Sequence, residues 1–165
     1  MKTRRITITA FALVTAFAMS GSAQLKNASG TGATTTKWVG QGTASAPDGT
    51  PQGNYQVSVV VNSSASGDSD SVATITLPSG KIETITQKIT KNANGSYSIV
   101  SSLGKGGGAC YGNGLCEFYI EEASTGKAVA ITCVRDADGS MRDLITVLQN
   151  GKAVSILSEK LVQVK

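Results

Sequence analysis

The chain of 165 residues has no histidine and only three cysteines. Without histidine it can form neither a Ser-His-Asp nor a Cys-His nucleophile arrangement, and it cannot build zinc or haem sites on imidazole. The stretch GKGGG at Gly104–Gly108 lacks the spacing of a phosphate-binding loop, and DADGS at Asp136–Ser140 lacks the ligands of a calcium loop. We therefore expect a protein that is not an enzyme and that holds no cofactor and no metal.

Long hydrophobic runs are scarce, and the clearest one lies at the N-terminus. A basic start is followed by an apolar run from Ile6 to Met19 and by small residues up to Ala23, which is the layout of a secretory signal peptide. The run is shorter than the roughly 20 residues that span a bilayer. We expect cleavage after Ala23 and export to the bacterial periplasm or beyond, without integration into a membrane.

After the predicted signal peptide, the chain has almost equal numbers of basic and acidic residues. The formal net charge of +4 includes Lys2, Arg4 and Arg5 of the predicted signal peptide, which leaves 12 basic and 11 acidic residues, or +1. A domain with so little excess positive charge is poorly suited to a phosphate backbone. Nucleic acid is therefore not an expected partner.

Helix-forming segments are also lacking, because glycine, serine, threonine and valine dominate the chain after residue 23. Residues 24–36 contain almost no apolar side chains and are expected to be a flexible lead-in to one domain over 37–165. Alternating apolar residues and turn signals then predict about eight or nine short strands. In the hairpin after Cys116, one face pairs Ile120 with Val129 and Cys116 with Cys133.

The turn at Asn150-Gly151 predicts a second hairpin, in which a two-residue loop pairs Val147 with Val154 and Ile145 with Ile156. Because hairpin turns join nearly all strands, the fold class is all-β, an antiparallel meander. Closure into an up-and-down barrel removes the exposed edge strands and is favoured over a two-sheet sandwich.

The early segment KWVGQGT at Lys37–Thr43 places a tryptophan on the first predicted strand. Together with the exported chain and the uninterrupted meander, it resembles the calycin group of lipocalins and fatty-acid-binding barrels, although Thr36 stands where that group usually has glycine. The resemblance implies a closed barrel with an interior cavity for a ligand.

The three cysteines of an exported chain are expected to form one disulfide. Cys110 and Cys116 enclose Tyr-Gly-Asn-Gly-Leu, whose two glycines allow the tight reversal that this pairing needs. The alternative is Cys116 with Cys133, which the predicted hairpin register places opposite each other. Geometry favours the first pairing and leaves the second open.

Two functions remain. In the first, a non-enzymatic, monomeric exported barrel binds a small apolar ligand. Its candidate cavity-lining residues, which could instead be ordinary core residues, are Trp38, Tyr55, Tyr97 and Phe118. In the second, the glycine-rich disulfide loop binds another exported protein, as an envelope partner or an inhibitor. Its candidate contact residues are Lys105, Tyr111 and Asn113.

Overall fold

The computed structural model describes residues 33–164, so the predicted signal peptide and most of the predicted lead-in lie outside the described residues. This part of the chain contains ten β-strands. They are β1 (Thr34–Ser45), β2 (Pro51–Ser63), β3 (Ser69–Thr76), β4 (Ile82–Lys91), β5 (Tyr97–Ser101), β6 (Gly104–Cys110), β7 (Leu115–Glu122), β8 (Lys127–Arg135), β9 (Met141–Gln149) and β10 (Lys152–Val164). Since β1 begins at Thr34, the strand includes the last three residues of the predicted lead-in.

The ten strands form one closed antiparallel barrel. Each strand pairs with its neighbours in sequence, and β1 closes the barrel by pairing with β10. This confirms the all-β up-and-down barrel, with ten strands where eight or nine were predicted. No helix between residues 33 and 164 has the length and apolar character required to cross a membrane.

The register of the two C-terminal hairpins tests the predicted pairings. In β7 and β8, Cys116 lies opposite Cys133 and Ile120 opposite Val129, which confirms that prediction. The pairing predicted for β9 and β10 is wrong by one residue. A bulge between Ala153 and Ser155 shifts the register, so that Ile145 faces Leu157 instead of Ile156. The extra residue of a bulge changes which side chains point inward beyond it.

The stretch GKGGGA at Gly104–Ala109, which the sequence interpretation treats as a loop, lies in strand β6 and adds a strand that the sequence does not predict. It pairs with β5 on one side and with β7 on the other. Its glycines allow a close approach, because a Cβ on Gly106 would overlap the carbonyl oxygen of Tyr119 and one on Gly108 would overlap Phe118. Glycine gives no hydrophobic period, so alternation could not reveal this strand.

The barrel interior is filled with side chains. Interior apolar residues such as Val59, Ile75 and Ile145 are 0% exposed, and the remaining members of the core reach at most 7%. A standing cavity of ligand size would leave accessible surface on its walls, which these residues do not have. Any ligand that enters the barrel of residues 33–164 must therefore displace side chains.

Candidate functional site

One line of paired residues inside the barrel carries both of its buried carboxylic acids. Strand pairing places these residues side by side across seven strands, from β2 through β1 to β10, and on to β6. We call this line the polar row; it consists of Tyr55, Gly42, Glu159, Asp143, Cys133, Cys116 and Cys110. All three cysteines therefore share one row with both buried carboxylic acids.

Tyr55 and Glu159 are joined across Gly42. The Tyr55 hydroxyl donates a hydrogen bond of 2.7 Å to Oε1 of Glu159. Gly42 is the direct pairing partner of both residues. A Cβ at Gly42 would overlap the Tyr55 ring, so the absence of a side chain lets the ring lie across β1. The second glycine of the segment KWVGQGT thus permits the contact between Tyr55 and Glu159.

The Glu159 carboxyl group is enclosed by the barrel. The residue is 2% exposed, and its Oε2 atom has no hydrogen-bond partner in the structure. Burial raises the pKa of Glu159 to about 8, and the neighbouring charge of Asp143 raises it as well, whereas the Tyr55 hydrogen bond lowers it. At neutral pH this side chain is therefore mostly a neutral acid.

The pKa of the Tyr55 hydroxyl is also shifted, because this group lies in the same buried surroundings as Glu159. Burial raises the pKa of its hydroxyl above the usual value, and the charge and hydrogen bond of Glu159 act in the same direction. The hydroxyl consequently stays protonated and remains a hydrogen-bond donor. Asp143, the next residue along the polar row, is also 2% exposed.

The cysteine end of the polar row contains the disulfide. Cys110 and Cys116 are direct pairing partners on β6 and β7, and they are bonded to each other. Cys133 lies on the other side of Cys116, is fully buried and lies outside the disulfide. Both pairings considered from the sequence were thus possible in register, and the structure forms the one between β6 and β7.

The four predicted ligand-lining aromatic residues all belong to the filled hydrophobic core or pack against it. Trp38, Tyr55 and Phe118 are buried, and their exposed fractions are 1%, 4% and 4%. Tyr97 is half-buried and packs its ring edge-to-face against Phe118, with 6.3 Å between ring centroids. Tyr55 donates a hydrogen bond to an acid of the polar row, whereas Nε1 of Trp38 has no hydrogen-bond partner.

The three predicted loop contacts do not form one surface. Lys105 lies in β6, opposite Glu121, near the start of the strand. Tyr111 and Asn113 lie in the turn after β6; the Tyr111 hydroxyl donates to Glu117, and Asn113 accepts from the amide of Leu115. The structure therefore separates Lys105 from the disulfide turn by most of the strand.

An open groove of about 450 Å³ crosses the outer face of the barrel from β2 to β5. Its exposed walls include Asn62, Asp70, Val72, Thr86, Lys88 and Val100. The groove lies outside the barrel wall, whereas the aromatic candidates and the acids of the polar row lie inside. The outer groove and the barrel interior are therefore two separate candidate ligand sites.

The sequence matches no protein-family model, and the search of curated proteins gives no match. Among solved structures, the barrel is similar to the S-type phycobiliprotein lyase CPES from Guillardia theta. The TM-score is 0.53 at 5% sequence identity, over 78% of this chain and 86% of that chain. At this identity the likeness concerns the fold alone; it is consistent with the resemblance to calycin barrels and identifies no family.

This likeness corrects one expectation from the sequence. The chain was predicted not to be an enzyme because it lacks histidine and known catalytic motifs. That prediction is wrong as it stands, because the similar structure is that of a protein named a lyase. A barrel of this kind is thus no argument against catalysis.

The acids of the polar row were missed by the sequence interpretation, although their positions carried a signal. Glu159 alternates with Leu157 and Leu161, and Asp143 alternates with Met141 and Ile145. In a strand, alternate residues share one face, so an acid between two large apolar residues is expected to point into the core. Such an acid is uncommon in a fully buried position and marks a candidate site.

Proposed function

We propose that the barrel binds a small molecule in its interior, with the polar group of the ligand held at Glu159. The observation that carries this proposal is the unpartnered Oε2 atom of a carboxyl group that is 2% exposed. Buried polar atoms nearly always have a hydrogen-bond partner, and each exception costs about 1–3 kcal/mol. A ligand that supplies the missing partner recovers that free energy.

The filled interior limits the ligand to a small size and requires a side chain that can move. Tyr55 meets this requirement, because its ring lies over Gly42 and no side chain occupies that position on β1. The pairing of β2 with β3 begins at Gln56, one residue after Tyr55, so Tyr55 itself has no pairing partner on β3. Rotation of this ring away from Glu159 opens a space about as large as the ring itself.

The experiment uses 1-hexanol, which combines a short apolar chain with one hydroxyl group. We expect saturable binding in a titration followed by NMR chemical shifts, with the largest changes at Tyr55, Gly42 and Glu159. Trp38, the single tryptophan of the chain, gives a second readout through its fluorescence.

The variant Glu159→Leu keeps the interior apolar and removes the polar anchor, so it should weaken hexanol binding. Glu121→Leu is the matched control, because this residue lies on the exposed face of β7. Shifts confined to Val72 and Val100 would place the ligand in the outer groove and contradict the proposal. An absence of saturable binding would contradict it too.

We infer in addition that the protein works outside the cytoplasm after loss of residues 1–23, as a monomer. The disulfide between Cys110 and Cys116 is consistent with an exported protein. Mass spectrometry of the protein recovered from cells tests the cleavage, because the N-terminal residue should then be Gln24.

A further inference from the structure

The buried side chains between residues 33 and 164 that can carry a full charge are acidic. Glu159 and Asp143 are the two ionisable acids among the buried polar residues of the described chain, and no lysine or arginine is buried there. Buried carboxylates are stable when they are paired with a positive charge, and otherwise they take up a proton. The Glu159 carboxyl group, whose Oε2 atom has no hydrogen-bond partner, is thus complementary to a cation.

We propose that the ligand is a small organic monocation, an alkylammonium group on an apolar body, whose charge is held by the Glu159 carboxylate. This inference rests on the proposed function, because it assigns a chemical class to the ligand of the same site. The Tyr55 hydroxyl occupies Oε1 and leaves Oε2 for the ammonium group. The apolar body packs against Leu157 and Leu161, the inward neighbours of Glu159 on β10.

A metal ion fits the surroundings of Glu159 less well than an organic cation does. No three side chains of histidine, cysteine, aspartate or glutamate between residues 33 and 164 are grouped so that they could hold one. An alkylammonium ion needs only a few acceptors, and the apolar interior suits its hydrocarbon part. The structure therefore favours an organic cation.

Binding of a cation should be coupled to loss of a proton from Glu159. Without ligand the carboxyl group is mostly protonated at neutral pH, because burial and Asp143 on β9 raise its pKa to about 8. Tyr55 on β2 donates a hydrogen bond to it, and Cys133 on β8 lies next to Asp143 in the polar row. Below about pH 8, each bound cation should release up to one proton.

The test compares hexylammonium chloride with 1-hexanol on the wild-type protein. We expect hexylammonium to bind about tenfold or more tightly at about pH 8, and its affinity to fall by up to about tenfold per pH unit below that value. Hexanol should show no such pH dependence. Hexylammonium itself stays charged, since an alkylamine titrates near pH 10.

The variant Glu159→Gln keeps the shape of the side chain and removes its charge. It should bind hexylammonium no more tightly than 1-hexanol, whereas the exposed control Glu121→Gln should keep the wild-type preference and its pH dependence. If the wild type binds hexanol as tightly as hexylammonium, the inference is wrong while the proposed function stands. If neither probe binds saturably, both are wrong. If Glu159→Gln does not fold, the pH dependence of hexylammonium binding to the wild-type protein still tests the inference.

Discussion

The buried carboxyl group of Glu159 should make the stability of the barrel depend on pH, whatever the ligand. Its pKa rises from an ordinary value of 4.5 to about 8 in the folded chain. The folded state thus binds the proton more tightly than the unfolded state does. The resulting stabilisation is complete below about pH 4.5 and is lost as the pH rises through about 8.

The size of this effect follows from the two pKa values. One pKa unit corresponds to about 1.4 kcal/mol, so ionisation of Glu159 costs about 5 kcal/mol in total, of which about 3 to 4 kcal/mol falls between pH 5 and pH 8. Domains of this size are stable by about 5–15 kcal/mol, so the loss is a large fraction. In Glu159→Gln that contribution should vanish, because an amide does not titrate.

Urea unfolding of wild type and Glu159→Gln at a series of pH values measures this difference, with Trp38 fluorescence as the signal. The difference between the two proteins cancels the other titrating groups to first order, and the exposed substitution Glu121→Gln serves as the control. Because the Tyr55 hydrogen bond lowers the pKa of Glu159, Tyr55→Phe should move the transition to higher pH. Parallel pH profiles for wild type and Glu159→Gln would refute the reasoning.

Three further predictions concern the glycines and the disulfide. Gly42→Ala should destabilise the barrel by about 1–3 kcal/mol in urea unfolding, since its Cβ overlaps the Tyr55 ring, and Tyr55→Ala in the same chain should recover part of the loss. Gly106→Ala should cost at least about 2 kcal/mol because its Cβ meets a backbone carbonyl, whereas Gly112→Ala, in open space, should change stability by less than about 0.5 kcal/mol; equal effects would contradict the close approach of β6. Reduction of the disulfide should cost about 2.4 kcal/mol, the chain entropy of a seven-residue loop, and an unchanged unfolding midpoint would speak against this.

The fold was largely predictable because apolar residues repeat at alternate positions. The register of β7 and β8 followed from two matching apolar faces, which a slip by one residue would expose. The register of β9 and β10 did not follow, because the bulge before Ser155 depends on local backbone geometry that the Asn150-Gly151 turn signal does not report. Strand β6 was missed because glycines have no side chain to alternate.

The candidate site was predictable only in part. Tyr55 was recognised as a cavity candidate from its residue type, but its partner Glu159 lies 104 residues away in sequence and is brought close by the closure of β1 on β10. The raised pKa of Glu159 results from its burial inside the closed barrel, and no local sequence pattern reveals that burial directly. The filled interior likewise arises from how ten strands fit together.

The disulfide has a consequence for how β6 finds its place. Side chains normally choose the register of a strand, yet three successive residues of β6, Gly106, Gly107 and Gly108, have none, and such strands are prone to slippage. The covalent bond from Cys110 to Cys116 fixes one pair, and the pairing of Gly106 with Ile120 then follows. The bond therefore holds β6 in its observed alignment, and oxidation of the two cysteines fixes the register of this part of the barrel wall.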